Sequence, residues 1–235
     1  MPSKVVKVLD LGRMDYKTAW DYQEQLFSAK LSLKSANRDL SPENQHPITH
    51  ELLFVEHPHV YTLGKSGKPE HLLLDEAGLK AAEATYHKIN RGGDITYHGP
   101  GQLVVYPILD LEQFKTDIHW YMRSLEETVI QTIAYWGIKG ERYTGFTGVW
   151  LNPEEDAKAR KICAMGVRTS RWITMHGIAL NVNTNMRYFD HIVPCGIDNK
   201  SVASMATEIG EVVPMVTVKA QFQQAFSQVF EVELT

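Results

Sequence analysis

Cysteine, long apolar runs and excess positive charge are all scarce in this sequence of 235 residues. With two cysteines in all, Cys163 and Cys195, there is no Cys-x-x-Cys pair to seed a zinc site or a redox motif. His57-Pro58-His59 has no further ligand pair at metal spacing, so it reads as a turn and no metal is predicted. No stretch approaches the roughly 18 apolar residues of a membrane span. The opening Met1-Pro2-Ser3-Lys4-Val5-Val6-Lys7-Val8 carries no apolar run of signal-peptide length. The expectation is a cytoplasmic protein, off the membrane, with both thiols reduced. Formal net charge is −4, so no global basic character points to nucleic acid. The dinucleotide fingerprint and the P-loop are both missing, as are internal repeats. What remains is 43% hydrophobic content, enough for one sizeable core, and a single domain over residues 1–235 is predicted.

Apolar spacing then places the elements. Val5–Leu11 reads as a first strand and Asp15 to about Ala36 as a helix with Trp20, Phe27 and Leu31 among its apolar positions. Residues 37–47 are polar, with Ser41-Pro42 and His46-Pro47, and read as a loop or insertion. Glu51–Val55 and Val60–Leu63 read as a strand pair about His57-Pro58, followed by a short helix over Asp75–Ala84 and a strand over Thr85–Asn90. Leu103–Leu109 is a strand. From Asp117, the residues Ile118, Met122, Leu125, Val129, Ile133 and Trp136 recur at helical steps up to Gly137. Strands over Gly148–Leu151, Arg160–Val167 and Trp172–Val182 follow, with a charged turn at 152–159, and a last helix covers Val218–Phe230. Strands in runs, with helices between the blocks, predict an α+β fold with a mixed sheet.

Between two of these strands lies Arg91-Gly92-Gly93-Asp94-Ile95-Thr96-Tyr97-His98-Gly99-Pro100-Gly101-Gln102. Glycines let backbone N–H groups approach a ligand closely, and loops between buried strands are where binding groups gather. His98 reads either as a ring tied to loop backbone or as an orienting, proton-handling group, and His176 likewise. Cys195, between Pro194 and Gly196, reads either as an ordinary loop cysteine or as a thiol on a tight exposed turn. Cys163 is its rival. On a strand over 160–167, Lys161, Cys163 and Met165 share a face, but the apolar neighbours of Cys163 point to an inert, packed thiol.

Taken together, Arg91–Gln102, the segment Lys161-Ile162-Cys163-Ala164-Met165-Gly166-Val167-Arg168 with His176-Gly177-Ile178-Ala179-Leu180-Asn181-Val182, and Pro194-Cys195-Gly196 resemble, in order, the signature of the lipoyl(octanoyl) transferases of lipoate biosynthesis. The likeness runs from roughly Leu53 to Ile209. It implies the catalytic fold shared with biotin and lipoate protein ligases. It also implies a Cys-Lys dyad, with Cys195 as acyl-carrying nucleophile and Lys161 as catalytic lysine. The acyl-binding residues it implies are Arg91, Gly92, Gly93, Asp94, Ile95, Thr96, Tyr97, His98, Ala164, Met165, Gly166, Gly177, Ile178 and Ala179.

The donor so implied is octanoyl-acyl carrier protein. The acceptors are lipoyl domains of 2-oxoacid dehydrogenase E2 subunits and the glycine cleavage H protein. No cofactor is expected, because passing an acyl group from thioester to amide is downhill. An octanoyl chain buries about six methylenes at roughly 0.8 kcal/mol each, so chain-length preference should be graded. Lys158, Arg160, Lys161, Arg168 and Arg171 are read as solvated charges or as a face steering an acidic carrier. Three rivals remain: an ATP-dependent lipoate or biotin ligase, a non-catalytic acyl- or lipoyl-domain-binding protein, and a thioester hydrolase. Departures from the family pattern are Asn90, where an acidic residue is common, and a long 30–48 region.

Overall fold

In the computed structural model, which describes residues 4–193 and 201–235, the strands divide between two sheets. The chain runs through β1 (Lys4–Arg13), α1 (Tyr16–Asn37), β2 (Glu51–Glu56), β3 (Val60–Leu63), α2 (Glu76–Ala81), β4 (Thr85–Lys88), β5 (Ile95–His98) and β6 (Gln102–Ile108). It continues through α3 (Ile118–Ala134), β7 (Glu141–Tyr143), β8 (Phe146–Leu151), β9 (Arg160–Ser170) and β10 (Ile173–Asn181). Last come β11 (Ser201–Val202), α4 (Met205–Ile209), α5 (Met215–Phe230) and β12 (Val232–Leu234). The larger sheet is nine-stranded, in the order β12-β1-β2-β6-β10-β9-β8-β7 with β11 beside β9; the smaller is β4-β3-β5. Among the described residues no helix is long and apolar enough to cross a membrane.

Helix starts are set by side chains that take up otherwise unsatisfied N–H groups. Asp15 accepts from the Thr18 N–H to open α1, and Asp117 accepts from the Trp120 N–H to open α3. Ser204 and Thr207 cap α4 reciprocally. In the sheet, period-two alternation sorts side chains between the two faces. Leu52, Phe54, Leu103, Val105, Ile178 and Leu180 pack with Leu125, Val129, Phe222 and Phe226 of α3 and α5. Leu53, Val55, Val104, Tyr106, Met175 and Ala179 pack on the other face with Phe27 of α1.

The predicted pairing of β2 with β3 is not what forms. Both edges of β2 are occupied, by β1 in parallel and β6 antiparallel. The chain therefore crosses at His57-Pro58 into the small sheet, where β3 pairs with β4 and β5. The glycine-rich stretch is also not all loop, because Ile95–His98 is a strand. Its alternation is too short to stand out among the surrounding glycines. β7, α4 and β12, each of five residues or fewer, have no sequence signal of their own. The 37–47 stretch is loop with one short turn, closed by a reciprocal pair between Asn37 and the backbone of His46.

Candidate active site

Tyr16 at the start of α1, β5 and the glycine-rich loop stand around the sheet face that carries Ala179. Between them lies a cleft of about 830 Å³ including its open mouth. Ala164 and Ala179 stand directly opposite each other on β9 and β10, and both line it. Small side chains on adjacent strands leave a trough where longer ones would meet.

Two glycines hold the walls rather than the trough. A Cβ on Gly166 would stand 2.8 Å from the Gly92 oxygen, and one on Gly177 would stand 2.2 Å from the Val105 oxygen. The first glycine lets the loop dock on β9, where the Gly92 N–H donates to the Val167 oxygen at 3.0 Å. The second lets β10 close on β6 beside Pro107, which has no N–H to give. The loop is fastened on its other side by backbone bonds from Gly64, Lys65 and Ser66 to the oxygens of Asp94, Arg91 and Gly93. Arg91 lines the cleft and is anchored in this architecture. Its guanidinium donates to the Thr62 oxygen at 2.7 Å, to Thr62 Oγ1 at 3.0 Å and to the Gly92 oxygen at 2.9 Å. Asp94 accepts from the Ile95 N–H and from His71 Nδ1, each at 2.6 Å.

Lys161 reaches the cleft through an irregularity. Val149 pairs with Cys163 but Trp150 with Lys161, so β9 has an extra residue at Ile162. Such a bulge resets the alternation. Lys161 lines the cleft, and Cys163 turns into the core against α3 and α5. The expectation that they share a face is thus corrected. Cys163 is 0% exposed, and burial pushes its thiol well above the ordinary range, which leaves it inert. The Lys161 ammonium sits 4.7 Å from the centre of the Trp150 ring, in cation–π contact. Its stem passes Gly148, whose φ of +109° and closeness to the Cys163 oxygen admit no side chain. The Gly148 N–H donates to Glu126, a buried carboxylate between Arg123 and Arg142.

Histidines cluster at the other end. His57 donates from Nδ1 to the Met14 oxygen at 2.8 Å and accepts the Tyr106 hydroxyl at Nε2 at 2.8 Å. His98 donates from Nδ1 to Gln102 Oε1 at 2.8 Å. Gln102 in turn donates to the Tyr97 oxygen and Asn181 Oδ1, which settles its orientation. Burial lowers the pKa of His57 to about 4, and burial with the neighbouring His57 lowers that of His98 to about 3. Both rings are neutral at physiological pH. Among the described residues no three His, Cys, Asp or Glu side chains converge on a metal position.

Of the residues singled out from sequence, Arg91, Gly93, Asp94, Ile95, Thr96, His98, Lys161, Ala164, Met165, Gly166, Gly177, Ile178 and Ala179 all line the cleft. Gly92 and Tyr97 do not. Tyr97, on the opposite face of β5 from Thr96 and His98, packs with Tyr61 and Phe189, its hydroxyl against His59. Cys195 lies outside the described residues, but Ile192 before that stretch and Val202 after it both line the cleft. Sequence reasoning missed Tyr16, Val104, Tyr106, Phe189, Ile192 and Val202, which lie outside the quoted motifs, and gave no role to Asn181, which lies inside one. Of the basic residues, Lys158 pairs with Glu155, Arg160 with Glu208 and Arg168 with Glu24.

Comparison with known proteins bears on what this cleft is. Residues 15–227 match the profile of the lipoyl protein ligase A/B catalytic domain. An octanoyltransferase of Cytophaga hutchinsonii is 55% identical over 232 residues, 99% of this chain and 95% of that one. An octanoyltransferase of Flavobacterium psychrophilum is 56% identical over 230 residues, 97% of this chain and 98% of that one. Among solved structures, the bipartite lipoate protein ligase of Thermoplasma acidophilum superposes with a TM-score of 0.68 at 15% identity, over 99% of this chain and 86% of that one. A lipoate-protein ligase A bound with ATP gives 0.68 at 15% identity, over 100% of this chain and 88% of that one. These last two show the shared mixed-sheet, single-domain fold. With relatives this similar over nearly their whole length, the chain belongs to the octanoyltransferases, acyltransferases of the lipoyl protein ligase A/B catalytic domain family.

Proposed function

We propose that this octanoyltransferase works in two steps through a thioester on Cys195. The Cys195 thiolate attacks the carbonyl of an octanoyl thioester on acyl carrier protein. The tetrahedral adduct collapses, the carrier thiolate leaves and takes a proton, and the octanoyl group stays on Cys195. The ε-amine of a lysine on a lipoyl domain then attacks that thioester, loses a proton and forms an amide, and Cys195 leaves as thiolate. The acceptors are lipoyl domains of 2-oxoacid dehydrogenase E2 subunits and the glycine cleavage H protein, the first step of protein lipoylation in the cytoplasm. Both steps run without ATP or metal, because the thioester supplies the driving force.

One observation carries this reading. Lys161 lines the same trough as Ile192 and Val202, the residues that flank the stretch containing Cys195, whereas Cys163 is sealed in the core. Lys161 is the proton carrier. Lowering a thiol pKa from about 8.5 to about 7 raises its thiolate fraction at neutral pH roughly fifteenfold. The lost nucleophilicity takes back about a factor of five. A net gain of about threefold is small, so the larger share falls to proton transfer at the departing thiol and the incoming amine.

The test is intact-mass measurement after mixing the protein with octanoyl-acyl carrier protein. The parent and Cys163→Ala gain one octanoyl group and Cys195→Ser gains none, with ping-pong kinetics for the parent. Transfer that requires ATP and free octanoate would instead favour the ligase chemistry named for its structural neighbour.

A further inference from the structure

We propose that His176 ends the acyl trough and sets the length of chain the enzyme accepts. This rests on the reading above that the chain runs along β9 and β10 from the Lys161 end. Val167 and His176 face each other across those strands, beyond the Ala164–Ala179 pair. From Lys161 to Val167, with one residue taken up by the bulge, there are about five strand steps of roughly 3.3 Å, or some 17 Å. An extended eight-carbon acyl group laid zigzag with bonds of about 1.5 Å spans about 9 Å and fits within that run. A chain lying along the run from the Lys161 end meets His176 at its far end.

The ring that closes it is held from two sides. Its Nε2 donates to Asn90 Oδ1 at 3.1 Å, and Asn90 donates onward to Glu24 at 3.3 Å. The His176 backbone, at a left-handed φ of 59°, donates its N–H to Gln23 Oε1 at 3.0 Å instead of to the sheet. A non-glycine residue in that region is kept only where its surroundings over-determine it. His176 is 2% exposed, and its Nδ1 has no hydrogen-bond partner among the described residues. Burial beside Arg91 and Arg168 keeps the imidazole neutral, so Nδ1 is a bare acceptor in the wall of the cleft. A longer chain must either push a doubly held ring aside or lay methylene against that acceptor, displacing any water it holds. Both penalties grow as the chain outruns the trough.

The test uses the full chain with two readouts: binding of free octanoate and decanoate by calorimetry, which needs no cysteine chemistry, and adduct formation from octanoyl- and decanoyl-acyl carrier protein. The parent is expected to prefer octanoyl over decanoyl by about tenfold or more. His176→Asn, whose short side chain tolerates the left-handed backbone, is expected to shift that ratio towards decanoyl by about tenfold. Asn90→Ala, which frees the ring without removing it, should shift it by a few-fold and keeps the test open if the first variant does not fold. Unchanged ratios in a folded variant overturn the assignment of His176 while leaving acyl transfer standing. A parent that neither binds octanoate nor forms an adduct overturns acyl transfer itself, and this inference with it.

Discussion

The two faces of β9 and β10 make opposite uses of the same strands. Towards α3 and α5, Leu180, Ile162 and Cys163 are packed out of reach of water. On the face shared with α1, Ala164 and Ala179 leave an open trough, edged by Lys161, His98 and His176. Lys161 and Cys163 stand two positions apart, and the alternation of a regular strand would put both in the core or both in the trough. The bulge at Ile162 sends one to each. Chemistry on a sheet therefore needs a local break in the regularity that makes the sheet stable, and here Gly148 and the buried Glu126 support that break from the next strand and helix.

The sharpest test of this contrast is Lys161→Met. Removing the charge while keeping the stem should lower turnover by about 10²- to 10⁴-fold, the range of general acid–base catalysis, with the melting temperature nearly unchanged. Near-parental single-turnover rates for acylation and deacylation would remove Lys161 from the mechanism.

Acid should separate the two faces next. Burial holds the pKa values of His57, His98 and His176 at about 4, 3 and 3. The unfolded chain takes up protons that these folded sites refuse. Their stability contribution is therefore complete above the ordinary histidine value near 6.5 and is lost as pH falls towards about 4. Three such groups set a slope of at most about 4 kcal/mol per pH unit. A thermal midpoint that stays level between about pH 7 and pH 5 contradicts this.

On the packed face, Leu180→Ala should cost about 2–5 kcal/mol in denaturant unfolding and leave activity per folded molecule close to parental. A large loss of specific activity would mean that the faces are not separable. Smallest of all is Cys163→Ala, expected to cost about 1 kcal/mol and to retain acyl-enzyme formation. Loss of the adduct in that variant would revive the buried thiol as nucleophile.

Most helices and the central strands were legible in sequence because their signals are local. Asp15 and Asp117 cap where they stand, and Leu52–Phe54 and Leu103–Val105 show apolar runs that only a two-sided sheet explains. The pairing of β3 was not legible, since sequence says that Val60–Leu63 is a strand but not that both edges of β2 are already occupied. Thirteen of the residues singled out for the site line the cleft, because ordered motifs carry their chemistry with them. Tyr97 lies inside a motif but packs among Tyr61, Phe189 and Tyr188 instead of lining the cleft. Tyr16 and Tyr106 were invisible for the opposite reason, as each meets the cleft from an element with no motif of its own.

By itself, the order of residues determined the fold class, the family and the set of groups available for acyl transfer, since spacing, capping and motif order are properties of neighbours along the chain. Tertiary structure alone decided which of those groups meet. The bulge that separates Lys161 from Cys163, the bonding of Arg91 to Thr62, and the placing of His176 across from Val167 all depend on partners distant in sequence. Which strand lies next to which is settled by what each edge and face can bury and hydrogen-bond, and no single segment carries that information.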